Sequence, residues 1–139
     1  YVGAFFMSTK DAQKSDDKRK YILIVEDDEF ISDVYQRKLL LEGFEVALAK
    51  DGEEALRTIR ERRPDLVLLD IMIPLKDGFQ VLSGLRVDAG LSDIRVVVMS
   101  NLSQGKDIAH AKELGALDYI VKSNIALPDM VQRIRKALS

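Results

Sequence analysis

Cysteine is absent from these 139 residues, which removes disulfides, thiolate metal sites and thiol catalysis. Histidine occurs once, at His110, so no site can draw on two imidazoles. Long apolar runs are missing as well: none approaches the roughly 20 residues that span a bilayer. The opening YVGAFF is too short for a signal-peptide core and has no small-residue cleavage site after it. No membrane partner is expected, and the default location is cytoplasmic. Charge of one sign is scarce too: 21 basic against 23 acidic residues leave a net charge of −2. That balance makes no electrostatic case for direct nucleic-acid binding. What is present is ordinary for a globular chain, with 47% hydrophobic and 32% charged residues. The length suits one domain with a sizeable core.

Organisation changes sharply at Tyr21. Residues 8–20, STKDAQKSDDKRK, are polar and aperiodic, so residues 1–20 read as a flexible arm. Residues 1–6 precede Met7, which leaves a vector-derived origin open. From residue 21 to 139 the chain reads as one folded domain. YILIV (21–25), LVLL (66–69), VVVM (96–99) and YIV (119–121) are short, continuous apolar runs, the pattern of strands buried on both faces of a parallel sheet. FEVALA (44–49) is a fifth, more exposed strand. Helical patterns separate them. Residues 28–42 set Phe30, Ile31, Val34 and Leu41 on one side, with Gly43 as a stop. Asp51 and Glu54 suggest a capping box for a helix ending near Arg62. Further helices are predicted over 77–88, over 103–114 and from Pro128 onward, the last with Val131, Ile134 and Leu138 on one stripe. Five βα repeats imply an α/β domain with an open, doubly wound, five-stranded parallel sheet and five helices.

Ligands of such sheets gather beyond the carboxyl ends of the strands. Strand one runs into Glu26, Asp27 and Asp28, strand three into Asp70, strand four into Ser100 and strand five into Lys122. An aspartate ending LVLLD would be costly if unpaired. If Glu26, Asp27 and Asp70 lie about 5 Å apart, each pair repels by about 3 kcal/mol at an effective dielectric of about 20. A divalent cation and Lys122 together neutralise the three acids. Oxygen donors without imidazole or thiolate favour Mg²⁺ or Mn²⁺ over zinc. Such a site suits phosphoryl transfer, and an aspartate can itself be the nucleophile, forming an acyl phosphate. Asp28 reads as a solvent-facing acid at its helix start, and His110 as a surface residue.

ILIVEDD, LVLLDIMIPLKDG, VVVMS and GALDYIVK, in that order, resemble the response-regulator receiver domains of two-component signalling over residues 21–138. The resemblance implies a flavodoxin-like sheet of order 2-1-3-4-5. It implies Asp70 as phosphoacceptor from a histidine kinase or phosphotransfer protein. It also implies Mg²⁺ held by Asp27, by Glu26 mainly through water, by Asp70 and by the Met72 carbonyl. Lys122 would pair with Asp70 and then with the phosphoryl oxygens. Ser100 would bond the phosphoryl group and draw its loop inward, and Tyr119 would switch between exposed and buried positions. Output to a downstream protein target, and homodimerisation, would use the surface of helix 4, strand 5 and helix 5. Pro74 and Gly78 match the family's turn after the acceptor.

Four positions depart from that pattern. Ser123 follows Lys122 where the family usually has a proline in a cis peptide, and Asn101 follows Ser100 where Ala or Gly is usual. Met72 and Leu102 are apolar where side chains often help admit attacking water, so slow loss of the phosphoryl group is expected. Two other readings stand beside the switch. A phosphatase of the haloacid-dehalogenase type would need an Asp two residues after its nucleophile, where this chain has Met72. A pseudo-receiver would bind partners without being phosphorylated. Nothing after Ser139 reads as an output domain, which leaves both a stand-alone receiver and an excised piece of a longer regulator open.

Overall fold

A computed structural model describes residues 18–139; most of the expected N-terminal arm lies outside the described residues. Five strands form one parallel sheet, β1 (Tyr21–Val25), β2 (Glu45–Ala49), β3 (Leu66–Leu69), β4 (Arg95–Ser100) and β5 (Asp118–Val121), in the order β2-β1-β3-β4-β5. Between and after them lie α1 (Glu29–Leu41), α2 (Gly52–Glu61), α3 (Gly78–Val87), α4 (Gly105–Glu113) and α5 (Leu127–Leu138). A short 3₁₀ turn, Lys122–Asn124, follows β5.

Alternation along each strand explains the layering, because successive side chains leave opposite faces of a sheet. Leu23, Val25, Val67, Leu69, Val96 and Val98 pack with residues of α2, α3 and α4, including Leu56, Ile59, Leu82 and Leu85. Ile22, Ile24, Leu66, Leu68, Val97, Met99 and Ile120 pack on the other face with α1 and α5, through Tyr35, Leu39, Met130 and Ile134. Strands covered on both faces must be apolar throughout, which is why these runs do not alternate in sequence.

Helix boundaries follow local chemistry. Asp28 caps α1 by accepting from the N–H groups of Phe30 and Ile31. Asp51 accepts from the Glu54 N–H at 2.7 Å, while the Glu54 carboxylate reaches back to the Lys50 N–H. Asp77 and Gln80 form a full capping box on α3 that the sequence reading did not single out. α1 corrects one expectation. Its buried residues are Ser32, Tyr35 and Leu39, whereas Phe30 and Leu41 are 78% and 84% exposed. Apolar residues at 30, 31, 34, 35, 39, 40 and 41 support more than one stripe, and Tyr35 and Leu39, four apart, take the inward one.

Arg86 of α3 ties three segments together. Its guanidinium donates to the carbonyls of Leu114 and Gly115, just past α4, and to those of Ser92 and Ile94, before β4. Gly115 sits at φ +94, ending α4, and a Cβ there would lie 2.6 Å from Arg86 Nε. Glycine meets both demands.

Arg133 of α5 grips Asp118 of β5 with two hydrogen bonds, of 2.8 and 2.6 Å. The guanidinium holds the Asp118 carboxyl below the usual aspartate range. The pair is partly solvated, so its worth is about 1 kcal/mol. A lowered folded-state value contributes in full above the ordinary aspartate pKa of about 4 and is lost as pH falls through the folded value. Asp118→Asn is therefore expected to cost about 1 kcal/mol at pH 7, with the gap closing as pH falls below the ordinary aspartate pKa of about 4. Urea unfolding across that window checks it, and a constant gap would refute the assignment.

Candidate functional site

Strand register assembles the site. Val25 pairs with Leu69, so the next residues, Glu26 and Asp70, leave the sheet side by side. The Asp70 N–H donates to the Val25 carbonyl at 3.1 Å, which fixes where the Asp70 side chain begins. Ser100 pairs with Val121, so Lys122 emerges just past the end of β4. β1 lies between β2 and β3, and the crossovers diverge to opposite faces at this point, leaving a crevice above the strand ends.

Three acids meet there. Glu26, Asp27 and Asp70 each offer a carboxylate oxygen, all within 4.8 Å of one another. Glu26 and Asp70 are 4% and 6% exposed, while Asp27 is open to solvent. The Lys122 ammonium bonds both buried acids, reaching Asp70 Oδ2 at 2.7 Å and Glu26 Oε1 in a close contact. Its ion pair with Glu26 adds to the single pairing with Asp70 expected from the sequence. Burial raises the Glu26 pKa, and its bonds to Lys122 and to the Asp28 N–H only partly offset that. Burial works to lower the Lys122 pKa, but the two carboxylates outweigh it and hold the ammonium charged.

The donor set fits a hard divalent cation. It offers oxygen atoms only, and three acids with one ammonium leave two negative charges uncompensated. Among the described residues none bonds or ion-pairs the Asp27 side chain, so its carboxylate can turn to the same centre as Glu26 and Asp70. Asp28, by contrast, is spent on capping α1.

The loop after β3 brings a backbone donor to Asp70. The Met72 N–H bonds Asp70 Oδ1 at 3.1 Å, and the Met72 side chain is 61% exposed. Gly78 then packs on the end of β3: a Cβ there would lie 2.6 Å from both the Asp70 carbonyl oxygen and the Ile71 Cα. Any side chain would push this turn off β3, which is the physical content of the Gly78 motif. Leu75, between them, adopts the left-handed region at φ 70 with its side chain in solvent.

Ser100 is fully buried at the end of β4, and its Oγ accepts from the Leu102 N–H at 3.2 Å. Tyr119 is buried, and its hydroxyl donates to the Leu102 carbonyl in a close contact. The Tyr119 ring is therefore in the inward of its two expected positions. His110 is exposed on α4 and packs on the Phe79 ring, with centroids 4.6 Å apart. Lys122–Ser123 is a trans peptide, and the Ser123 N–H donates to Asn101 Oδ1 at 3.0 Å. No spacing rule in the sequence links these two positions, which lie 22 residues apart on two loops.

Comparison with known proteins agrees with this geometry. Residues 22–135 match the family model described as the response regulator receiver domain. The chain belongs to the response-regulator receiver family. As a receiver domain of two-component regulators, it is 43% identical over 117 residues to the transcriptional regulatory protein PrrA of Mycobacterium tuberculosis, a match covering 84% of this chain and 49% of PrrA. The chain thus spans about half the length of that relative. Among solved structures, the phosphorylated cyanobacterial phytochrome response regulator RcpA is 35% identical, with a TM-score of 0.74 over 85% of this chain and 90% of RcpA. The Mn²⁺-bound form of response regulator Rcp1 is 32% identical, with a TM-score of 0.75 over 84% and 92%. The flavodoxin-like receiver fold and its 2-1-3-4-5 order are as the resemblance implied. No described helix is long and apolar enough to cross a membrane.

Proposed function

We propose that this receiver domain is a phosphorylation switch whose acceptor is Asp70. The observation that carries the reading is the ion-paired cluster itself: a buried strand-end carboxylate held by an ammonium, beside two further acids. In the proposed step an Asp70 carboxylate oxygen attacks the phosphorus of a kinase or phosphotransfer-protein phosphohistidine. The P–N bond breaks, and the imidazole leaves with the electron pair and takes up a proton. Lys122 stays beside the carboxylate and meets the added oxygens. Ser100 turns its hydroxyl toward them, giving up its bond to the Leu102 N–H.

Asp27, Asp70 and Glu26 would hold Mg²⁺ or Mn²⁺, with the Met72 carbonyl completing the protein ligands. That cation supplies charge neutralisation on the phosphoryl oxygens when bound. Rcp1, with Mn²⁺ in its solved form, supports the ion class. RcpA, solved phosphorylated, supports the modification. Tyr119, bonded to the loop after Ser100, would report the change to the surface of α4, β5 and α5, where a protein target or a second copy docks. Sustained turnover of an external substrate is not part of this reading. PrrA is a transcriptional regulatory protein, so any nucleic-acid contact of a longer regulator lies outside the proposed role of residues 21–139.

Acetyl phosphate with Mg²⁺ tests the reading. The intact mass is expected to rise by one phosphoryl group, with EDTA preventing the gain. No gain by the folded protein would overturn the switch in favour of an unphosphorylated scaffold, and steady release of phosphate from a phosphomonoester would favour a phosphatase. Once loaded, the phosphoryl group is expected to persist. Met72 is exposed but apolar, and Leu102 is half-buried and packed on the core, so neither side chain orients water. A Met72→Asn, Leu102→Glu variant is expected to lose phosphate roughly tenfold faster, which corresponds to about 1.4 kcal/mol in the barrier. Equal half-lives would refute this.

A further inference from the structure

The two residues one step beyond Ser100 and Lys122 are bonded to each other. Asn101 Oδ1 accepts the Ser123 N–H at 3.0 Å. Ser123 lies in the Lys122–Asn124 3₁₀ turn, whose N–H groups lack intrahelical acceptors at its start, and the residue preceding the turn, Val121, provides no side-chain cap. Asn101 caps the turn from another loop. It belongs to the segment between β4 and α4, and α4 also begins without a side-chain cap. That segment is held on the β5 side by two bonds, the Asn101–Ser123 contact and the Tyr119 hydroxyl on the Leu102 carbonyl. The third nearby bond, from the Leu102 N–H to Ser100 Oγ, is the one that would give way if Ser100 rotated to donate its hydroxyl to a phosphoryl group at Asp70.

We propose that Asn101 is a positioning residue that latches the β4–α4 loop to the turn after Lys122, so that phosphoryl loading is passed to the start of α5 as well as to α4. A proline at 123 has no N–H and an alanine or glycine at 101 has no acceptor, so the two departures from the family pattern are partners in one contact. When Ser100 engages a phosphoryl group and its loop moves inward, Asn101 moves with it. The Ser123 N–H follows for as long as that exposed bond holds, since breaking it hands the amide to water. The turn leads directly to Leu127, where α5 begins.

The inference rests on the switch reading, and its test separates the two. Backbone amide NMR on the whole chain compares the native protein, Asn101→Ala and Asn101→Asp, each with and without Mg²⁺ and beryllium fluoride as a phosphoryl mimic. Asp keeps an acceptor, so Ser123 amide exchange is expected to quicken about fivefold in the Ala variant and not in the Asp variant, the size of one solvated hydrogen bond. On adding the mimic, chemical-shift changes at 123–127 are expected to fall by at least half in Asn101→Ala, while those at 102–105 persist and Asn101→Asp retains both. Full-sized changes at 123–127 in Asn101→Ala would overturn the latch with the switch intact. A native protein that shows no response to the mimic and gains no phosphoryl group from acetyl phosphate would overturn the switch, and the latch with it.

Discussion

Asp70→Asn is expected to abolish phosphoryl gain completely while leaving the fold almost as stable as the native one. An amide is not a nucleophile toward phosphorus as a carboxylate is, so the loss is total rather than graded. The stability half follows from opposing charges. Asp70 faces two acids with oxygens within 4.8 Å, each repelling it by about 3.5 kcal/mol at an effective dielectric of about 20. It gains back about 6 kcal/mol from the Lys122 ammonium at 2.7 Å. Repulsion and attraction nearly cancel, and an Asn side-chain oxygen can still accept from the Met72 N–H. A change within about 1 kcal/mol is expected by urea unfolding, alongside no mass gain from acetyl phosphate and Mg²⁺. A phosphoryl group still acquired by the variant would move the acceptor elsewhere; a variant that fails to fold would mean that Asp70 is chiefly structural.

Lys122→Met should have the opposite signature. Removing the ammonium leaves Glu26 and Asp70 buried with like charge and no cationic partner, each keeping only a backbone N–H bond, and breaking a buried pair in this way costs about 3 kcal/mol. For a domain of this size that is roughly 12 °C in Tm without divalent cation. The loss depends on pH with a definite sign. Glu26 already sits above the ordinary glutamate range because of burial, and without Lys122 it rises further. A raised folded-state pKa means the native state binds more protons than the unfolded one, so the variant gains stability as pH falls from about 8 toward 5. Added Mg²⁺ should raise the variant's Tm more than the native protein's, since three acids then face the cation without a competing ammonium. Thermal melts with EDTA and with Mg²⁺ at pH 8 and pH 5 check both dependences. A pH-independent deficit that Mg²⁺ does not narrow would refute the charge-based account of this cluster.

The extent to which the sequence announced all this differs from residue to residue. Leu66–Leu69 reads as a strand covered on both faces, because four consecutive apolar residues followed by Asp70 leave no solvent side. Glu26, Asp27, Asp70, Ser100 and Lys122 were legible as a group since each ends a strand, and parallel strands end at one edge. α1 was legible as a helix but not in its orientation: Phe30 looked like core and is in solvent, while Tyr35 is buried. The surface a helix covers is chosen by the partners it meets, here β1, β2 and α5, and local periodicity does not encode those partners.

Strand identity, the presence of each helix, the acidic edge and its lysine were thus legible in the sequence alone, because they depend on side-chain periodicity and on which residues end the strands. The Lys122 bond to Glu26, the Tyr119 hydroxyl on the Leu102 carbonyl, the Arg86 clasp of four carbonyls and the Asn101–Ser123 latch were decided only by tertiary structure. Each joins groups from separate loops or elements whose meeting depends on sheet register and packing, and such distances exist only once the whole domain has closed around its core.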